Sequence, residues 1–292
     1  MTTGAEGAQV SPGVGARTRL LGIVGHPIRQ VKSPGLINPW LAAHAVDAVL
    51  LPLDVTPEAF DGFMAGIKGL ENLDGLILTL PHKRAGLRHV DRITARARLA
   101  GAINVMRRDP GGRWWGDALD GEGFVRSLVG EGFDPRGRRA LVVGAGGAGA
   151  AIAIALIDAG VGALALCDID GARVAALAAA LGGPGRGITV QAVAEPGGVD
   201  LVVNATPLGM APGDPVPLDP ELLSPGTRVA DLVTEPEATR LLLSAAARGC
   251  ALHPGFLLTR YQRDLLIDFL LPTAGLPAPG AGERAPPDGS AR

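Results

Sequence analysis

The segment Arg139-Ala-Leu-Val-Val-Gly-Ala-Gly-Gly-Ala-Gly149 decides the fold, because an apolar run leads into a glycine-rich turn and then a helix. Residues 140–143 predict a buried strand, and Gly144, Gly146 and Gly149 complete the pattern GxGxxG. The first glycine permits the tight turn, the second allows close approach to a pyrophosphate, and the third allows close helix packing. The helix N-terminus offers free N–H groups to phosphate. The segment therefore predicts a dinucleotide site.

The second strand of this unit indicates which dinucleotide binds. Residues 163–167 are apolar and end at Asp168, about 20 residues beyond the glycines, as the fingerprint requires. A carboxylate there accepts hydrogen bonds from the ribose hydroxyls and repels a 2′-phosphate, which favours NAD. Arg173 follows closely enough to bind a 2′-phosphate, so NADP remains the less favoured cofactor.

Length and composition narrow the class of protein. A chain of 292 residues exceeds one typical domain. Its net charge of −2 gives no electrostatic reason to expect nucleic acid or an anionic membrane as a partner. Cys167 and Cys250 fall in predicted buried strands, which indicates core thiols rather than a disulfide framework. Without a signal peptide or a bilayer-spanning stretch, we expect a cytoplasmic protein, either monomer or homodimer.

Both ends differ from the rest of the chain. Residues 1–17 and 275–292 are rich in Gly, Ala and Pro and lack apolar periodicity, so we expect disordered tails. The chain has only three lysines, and each is a candidate for closer inspection: Lys32, Lys68 and Lys83.

The first half alternates strand-like and helix-like segments. This βαβαβ pattern implies parallel strands covered by helices, with the segments at 20–24, 34–45, 49–53, 57–70 and 73–80. Two further runs, 104–107 and 113–116, flank Asp-Pro-Gly-Gly and predict a hairpin at the edge of that sheet. The first domain is expected to close near residue 120.

The second half repeats the alternation and predicts a doubly wound sheet. Its strand-like runs are 140–143, 163–167, 189–193, 201–204, 228–232 and 250–253. The helical run 257–271 is expected to return to the first domain. We therefore predict a two-domain α/β protein. A substrate domain with a mainly parallel sheet spans 18–120 plus 256–274, and a Rossmann dinucleotide-binding domain spans 121–255.

Four fragments of the first domain carry a family resemblance. They are Gly25-His-Pro-Ile-Arg-Gln-Val-Lys-Ser-Pro34, Leu78-Thr-Leu-Pro-His-Lys83, Ala100-Gly-Ala-Ile-Asn104 and Gly116-Asp-Ala-Leu-Asp-Gly121. Together with the glycine turn and the later loops, they resemble the shikimate dehydrogenase family over residues 20–270. The resemblance implies a reversible, nicotinamide-dependent oxidation of a ring hydroxyl on shikimate, quinate or a related cyclitol carboxylate.

The resemblance also implies roles for individual residues. Lys83 matches the catalytic lysine, and Asp120 matches the aspartate that pairs with it. This pairing suits acid–base chemistry, because a group must take the hydroxyl proton as hydride leaves carbon. Asn104, Thr79 and Gln262 match residues that bind substrate hydroxyls. Ser33 matches one serine of a carboxylate-binding pair, although a serine before Pro34 is equally suited to cap a helix.

The predicted nucleotide neighbours lie in the glycine turn and at the carboxyl ends of the later strands. They are Gly144, Gly146, Gly147, Ala148, Gly149, Asp168, Arg173, Asn204, Thr206, Leu232 and Gly255. The sequence shows no metal-ligand cluster, and we interpret three histidines beside the motifs as structural or substrate-lining: His26, His82 and His253.

Four positions depart from the family pattern. Val31, Ala118, Leu119 and Thr234 stand where the family usually has polar residues. Because a buried carboxylate needs hydrogen-bond partners, we expect shikimate itself to be a poor substrate. Arg29, Gln30 and Lys32 are the candidates to replace the missing carboxylate partners. The pattern favours a divergent, NAD-preferring branch that acts on shikimate, quinate or an altered relative.

Two other interpretations remain open at the level of sequence. One is another NAD-dependent dehydrogenase of the same two-domain plan, such as a methylene-tetrahydrofolate type. That type has a tyrosine before its lysine, whereas the only tyrosine here is Tyr261. The other is a non-catalytic, nucleotide-sensing homologue, since a fold alone does not establish function.

Overall fold

A computed structural model describes residues 13–272 and shows an α/β protein with two six-stranded sheets. Residues 16 and 17 form a turn, and the N–H of Gly15 donates to Thr18 Oγ1 over 2.9 Å. The remaining parts of the two tails expected to be disordered, residues 1–12 and 275–292, lie outside the described residues.

The first sheet belongs to the N-terminal half. Its elements, in chain order, are β1 (Arg19–Gly25), α1 (Ser33–Ala43), β2 (Ala48–Asp54), α2 (Phe60–Ile67), β3 (Leu73–Leu78), β4 (Arg92–Ile93), α3 (Ala95–Ala100), β5 (Val105–Arg108) and β6 (Trp114–Asp117). The strand order is β2-β1-β3-β5-β6-β4. β1 is parallel to β2 and β3, and β4 is parallel to β6, whereas β5 is antiparallel to both of its neighbours.

The hairpin formed by β5 and β6 is present, but the expectation that it forms the sheet edge is wrong. β4 pairs with β6 and lies outside it. This strand has only two residues, Arg92 and Ile93, which is too short to produce an alternating apolar pattern.

The second sheet confirms the Rossmann prediction. Its elements are β7 (Arg139–Val143), α5 (Gly147–Asp158), β8 (Ala163–Cys167), α6 (Gly171–Ala180), β9 (Ile188–Gln191), β10 (Leu201–Asn204), β11 (Arg228–Asp231), α7 (Arg240–Ala247) and β12 (Ala251–Pro254). All five pairings are parallel, in the order β9-β8-β7-β10-β11-β12. This doubly wound order reverses direction between β7 and β10, where such sheets bind ligands. We call residues 13–117 the first lobe and 139–254 the second lobe.

Two helices connect the lobes. α4 (Asp120–Gly130) precedes the second sheet, and α8 (Gly255–Leu270) follows it. The apolar face of α8 packs in one cluster with β1, α1 and β3, through Leu266, Ile267 and Leu270. The predicted return of the C-terminal helix to the first lobe is therefore confirmed.

Glycines allow α4 to pack closely on both of its neighbours. A Cβ at Gly121 would overlap the carbonyl oxygen of Ala151 in α5. A Cβ at Gly123 would lie 2.8 Å from Gln262 Cβ in α8. Because Asp120 is the first residue of α4, this packing fixes its position relative to both lobes.

The structure also bears on the predictions for the two cysteines and for membrane-spanning segments. Cys167 is a buried free thiol, as expected, but Cys250 is only half-buried and precedes β12 instead of lying within it. Within residues 13–272, no helix is long and apolar enough to cross a membrane.

Candidate active site

Lys83 and Asp120 form an ion pair where α4 meets the first sheet. Lys83 Nζ donates to Asp120 Oδ2 over 2.6 Å. Their side chains are only 15% and 7% exposed, respectively. Water screens such a pair much less than it screens an exposed one. The two residues that the resemblance places in proton transfer are therefore in direct contact.

Backbone hydrogen bonds hold the segment around Lys83 in place. The residue lies in the turn after β3, and its carbonyl oxygen accepts the N–H of Ile103 over 2.9 Å. The next residue, Asn104, donates its N–H to the carbonyl of Asp117 over 2.9 Å. These bonds hold the segment that contains Lys83 beside the segment that contains Ile103 and Asn104. Lys83 is thereby fixed between the sheet and α4.

Two amides hold the second oxygen of the Asp120 carboxylate. Asn104 Nδ2 donates to Oδ1 over 2.9 Å, and Gln262 Nε2 donates to the same atom over 3.1 Å. Asn104 Oδ1 accepts the N–H of Leu119 over 2.6 Å. The resemblance implied that both amides bind substrate hydroxyls. In the structure, each amide has an N–H committed to Asp120, so both hold this carboxylate in place.

A second buried carboxylate supports the segment before Asp120, and the sequence analysis missed it. Arg96 binds Asp117 through Nε and Nη2, over 2.8 and 2.6 Å. Its Nη1 binds Glu122 of α4 over 2.7 Å. A two-pronged arginine–carboxylate contact is geometrically specific. It therefore fixes the end of β6 against the start of α4.

Ser33 and Thr79 lie at the ends of elements that lead into the same region. Ser33 is buried and is the first residue of α1. The cap position is Lys32, which makes no side-chain capping hydrogen bond, so the helix-cap alternative for Ser33 is wrong. Thr79 follows β3, is half-buried, and donates its N–H to the carbonyl of Val24.

The glycine turn after β7 has the geometry expected of a dinucleotide site. Gly144 adopts φ +102°, which favours glycine, and a Cβ at Gly149 would overlap the carbonyl oxygen of Gly144. Gly146 caps α5 without a side chain, so the first N–H groups of the helix, including those of Gly147 and Ala148, remain available to an anion.

Asp168 lies at the end of β8, beside the glycine turn. Its Oδ2 accepts the N–H of Ala145 over 2.5 Å, and its Oδ1 accepts the N–H of Asp170 over 2.8 Å. Arg173 Nη2 pairs with Asp170 over 2.9 Å, and its Nη1 lies 3.8 Å from Asp168. The guanidinium is therefore already flanked by two carboxylates.

Asn204 holds the loops after β10 and β11 together. It is fully buried, and its amide donates to Asp231 Oδ1 over 2.9 Å and to the carbonyl of Leu208 over 3.1 Å. Its Oδ1 accepts the N–H of Thr206 over 3.0 Å. The Asn204 side-chain amide therefore has its hydrogen-bond partners within the protein, and the assignment of Asn204 as a nucleotide neighbour stays a prediction.

The remaining predicted neighbours lie along the same edge. Thr206 and Leu232 are half-buried in the loops after β10 and β11. Gly255 opens α8, and a Cβ there would lie 2.7 Å from the carbonyl oxygens of both Leu232 and Val233. Only glycine allows α8 to begin this close to the β11 loop.

Comparisons with known proteins agree with this geometry. Residues 23–106 match the family model for the shikimate dehydrogenase substrate binding domain. A shikimate dehydrogenase (NADP(+)) of Rubrobacter xylanophilus is 41% identical over 258 residues, covering 86% of this chain and 90% of its own. The chain belongs to the shikimate dehydrogenase family. It is therefore an oxidoreductase that acts on a CH–OH group.

Solved structures with the same fold include enzymes named for different substrates. Shikimate 5-dehydrogenase of Thermus thermophilus, in complex with NADP(H) and shikimate, has a TM-score of 0.78 at 30% identity, covering 87% of this chain and 94% of its own. Quinate dehydrogenase of Corynebacterium glutamicum, in complex with NAD, gives 0.75 at 28%, covering 87% and 94%. The 5-ketofructose reductase of a Gluconobacter strain gives 0.74 at 30%, covering 88% and 94%. A nicotinamide dinucleotide cofactor is common to the named complexes.

Two of the departures from the shikimate dehydrogenase pattern have buried side chains. Ala118 and Leu119 are 5% and 2% exposed. The Leu119 side chain packs in the cluster that includes Ile77 and α8. Asn104 and Gln262 are buried to the same extent, so the expectation that both positions remove polar groups from the substrate site stays a prediction.

The other two departures lie where the lobes approach each other. Val31 is half-buried against the apolar cluster around Leu119. Thr234 Oγ1 donates to the carbonyl of Gln30 over 3.5 Å. Of the three candidates for compensation, Lys32 is already paired, with Glu235 at 2.8 Å.

The histidines beside the motifs have structural contacts. His82 is buried, stacks on Phe60 at 4.2 Å, and binds the carbonyl of Val55 through Nε2 over 2.6 Å. Burial lowers the pKa of His82. His253 is buried and contacts Ser127, whereas His26 is exposed and pairs with Asp54 at 2.8 Å.

Proposed function

We propose that this protein catalyses the reversible, NAD-dependent oxidation of a ring hydroxyl on a cyclic hydroxy acid of the shikimate or quinate type. The observation that carries the proposal is the 2.6 Å contact between Lys83 Nζ and Asp120 Oδ2 in a nearly buried setting. It supplies a proton donor and acceptor of the kind that alcohol–ketone interconversion requires.

Lys83 and Asp120 act together in the proposed reaction. During reduction, Lys83 donates a proton to the carbonyl oxygen of the substrate as hydride reaches the carbon. During oxidation, the pair accepts the hydroxyl proton. Asp120 retains two hydrogen bonds from Asn104 and Gln262 throughout, so the carboxylate stays oriented while the proton moves.

The polar groups around the Lys83–Asp120 pair orient the substrate in the proposed reaction. We assign Thr79, Asn104 and Gln262 to the ring hydroxyls, and Ser33 to the carboxylate. Asn104 and Gln262 each have a second amide N–H beyond the one given to Asp120, so both functions are compatible. Val31 offers no hydrogen bond, so the acid end of the substrate has fewer partners than the family pattern provides.

The second lobe fits a dinucleotide. The uncapped start of α5 and the close approach of Gly144 and Gly149 suit a pyrophosphate. A dinucleotide held there would supply the hydride acceptor for oxidation and the hydride donor for reduction. The chain contributes Thr206, Leu232 and Gly255 along the edge where the ring would lie.

NAD is the proposed cofactor because of the charges around Asp168. A 2′-phosphate would meet the carboxylates of Asp168 and Asp170, and the cation beside them, Arg173, is already paired with Asp170. Ile169 between the two aspartates is fully exposed and offers no positive charge. The Corynebacterium quinate dehydrogenase was solved with NAD, whereas the Rubrobacter relative is named for NADP(+), so both cofactors occur among relatives.

A second candidate substrate class is a neutral polyhydroxy ketone. Val31 removes a possible hydrogen-bond partner from the carboxylate-binding end, and the Gluconobacter relative is a 5-ketofructose reductase. Such a substrate would use the same Lys83–Asp120 pair without an acid group.

A turnover panel tests these proposals. Shikimate, quinate, an amino-substituted analogue and 5-ketofructose are each assayed with NAD(H) and NADP(H). The main proposal expects the highest kcat/KM with a cyclic hydroxy acid and NAD. Preference for the ketose would establish the second candidate instead. No turnover on any compound, with nucleotide binding intact, would contradict both.

A further inference from the structure

The two lobes share very few polar contacts. Lys32 Nζ binds Glu235 Oε2 over 2.8 Å, and Thr234 Oγ1 reaches the carbonyl of Gln30 over 3.5 Å. Within the described part of the chain, no other hydrogen bond or ion pair joins residues 13–117 to residues 139–254. All polar contact between the lobes is therefore concentrated in two short loops.

Each partner in this ion pair is anchored to its own lobe. Glu235 lies in the loop between β11 and α7. A hydrogen bond joins the two ends of this loop, since Thr239 Oγ1 donates to the buried Asp231 over 2.6 Å. Lys32 is the cap residue of α1, directly before the buried Ser33. The Lys32–Glu235 distance therefore depends on how the lobes are arranged, and the pair can form only when these loops are close.

The position of the pair links it to the site. Lys32 lies between Val31 and Ser33, at the segment assigned to the acid end of the substrate. The lobes also meet beside Lys83, where a Cβ at Gly147 would lie 2.9 Å from Ala102 Cβ and 3.3 Å from Lys83 Cβ. Substrate and nucleotide groups on the two lobes can react only when the lobes are closed.

We propose that Lys32 and Glu235 form an electrostatic latch that holds the lobes closed over the substrate and opens to exchange ligands. The two side chains are 40% and 62% exposed, so the bond is weak enough to break in each cycle. Lys32 and Glu235 are positioning residues in this account, because neither has to touch the reacting atoms. The effect of this latch on KM rests on the proposed function, whereas its effect on the separation of the lobes does not.

A charge swap tests the latch. The variants are Lys32→Glu, Glu235→Lys and the double swap, each checked for an unchanged melting temperature. The matched controls are Lys68→Glu, which makes the same charge change in the first lobe, and Glu221→Lys, whose partner Arg248 is in the second lobe. Small-angle X-ray scattering without ligand and steady-state kinetics on the substrate found in the panel are the two measurements.

We expect each single latch variant to enlarge the radius of gyration and raise KM by about two- to fivefold, the range of an exposed ion pair, with little change in kcat. The double swap should restore both quantities, and the controls should leave them unchanged. The difference between wild type and Lys32→Glu should shrink in ~0.5 M NaCl, because salt screens exposed charges.

Two outcomes would overturn the latch. If the double swap is no better than Lys32→Glu alone, Lys32 acts on something other than Glu235, such as the substrate carboxylate. If the radius of gyration does not respond to any latch variant, the pair does not hold the lobes. Failure of the proposed function is distinguishable, because it would appear as no turnover in the panel while the scattering response remained.

Discussion

Gln262 Nε2 donates to Asp120 Oδ1 over 3.1 Å, although 142 residues separate the two side chains. Gln262 comes from α8, and Asp120 begins α4. The contact exists because Gly123 lets the two helices pack closely, with its would-be Cβ only 2.8 Å from Gln262 Cβ. The return of the C-terminal helix therefore completes the site that holds Lys83.

Replacing Gln262 with Leu should lower kcat/KM by about five- to a hundredfold. The change removes one of two amide donors from a buried carboxylate oxygen, a loss of about 1–3 kcal/mol. Steady-state kinetics would measure it. Tyr261→Phe is the neighbouring control, since the Tyr261 hydroxyl binds Glu131 away from the pair. Equal losses in both variants would indicate damage to α8 instead of the loss of this donor.

Lys83→Met should lower kcat by about a hundredfold or more, because no other side chain in the described part of the chain donates a hydrogen bond to Asp120 Oδ2. The nucleotide dissociation constant, measured by titration calorimetry, should stay near the wild-type value. Lys68→Met provides the control at a lysine outside the site. Retained turnover in Lys83→Met would remove the acid–base assignment.

Local sequence patterns predicted the parts of this site that belong to short motifs. The strand–glycine–helix unit at 139–149 is determined within a single short segment, and the ordered fragments placed Lys83 and Asp120 together. The sequence did not reveal that Leu119 packs in the core, because a match to a family position carries no information about burial.

Long-range ion pairs were beyond the reach of the sequence for a different reason. Arg96 with Asp117 and Lys32 with Glu235 are charged residues in a chain that has many, and neither pair has a spacing that identifies it. Their partners are fixed by the packing of separate elements. The contacts of Asn204 were hidden for the same reason, since an asparagine at the end of a strand does not show which loop it binds.

The cofactor preference should respond to charge beside Asp168. Asp168→Asn combined with Ile169→Arg should raise kcat/KM for NADP relative to NAD by at least about tenfold, because it removes a repulsive carboxylate and adds a phosphate partner. Ile169→Gln is the control for side-chain size without charge. An unaltered ratio in the charged variant would show that the 2′-phosphate binds elsewhere. A wild-type preference for NADP would contradict the NAD proposal directly.

Acid should destabilise the protein through His253. Its ring is buried against Phe124, and its Nε2 lies 2.8 Å from Ser127 Oγ. Burial, reinforced by the charge of Arg228 and opposed by Glu131, lowers the pKa of His253 from 6.5 to about 4. In the folded protein the ring therefore stays neutral at pH values where the unfolded chain already binds a proton.

The sign of the effect follows from this difference. Between pH 6.5 and about 4 the unfolded state holds more protons at this site, so the free energy of unfolding falls as pH falls. The loss approaches about 3 kcal/mol and levels off below the folded pKa. Urea unfolding at about pH 7 and about pH 4.5 measures it in wild type and in His253→Asn, which has no group that titrates in this range. The wild type should lose more stability than the variant between these two pH values. Equal losses would mean that other groups account for the acid sensitivity.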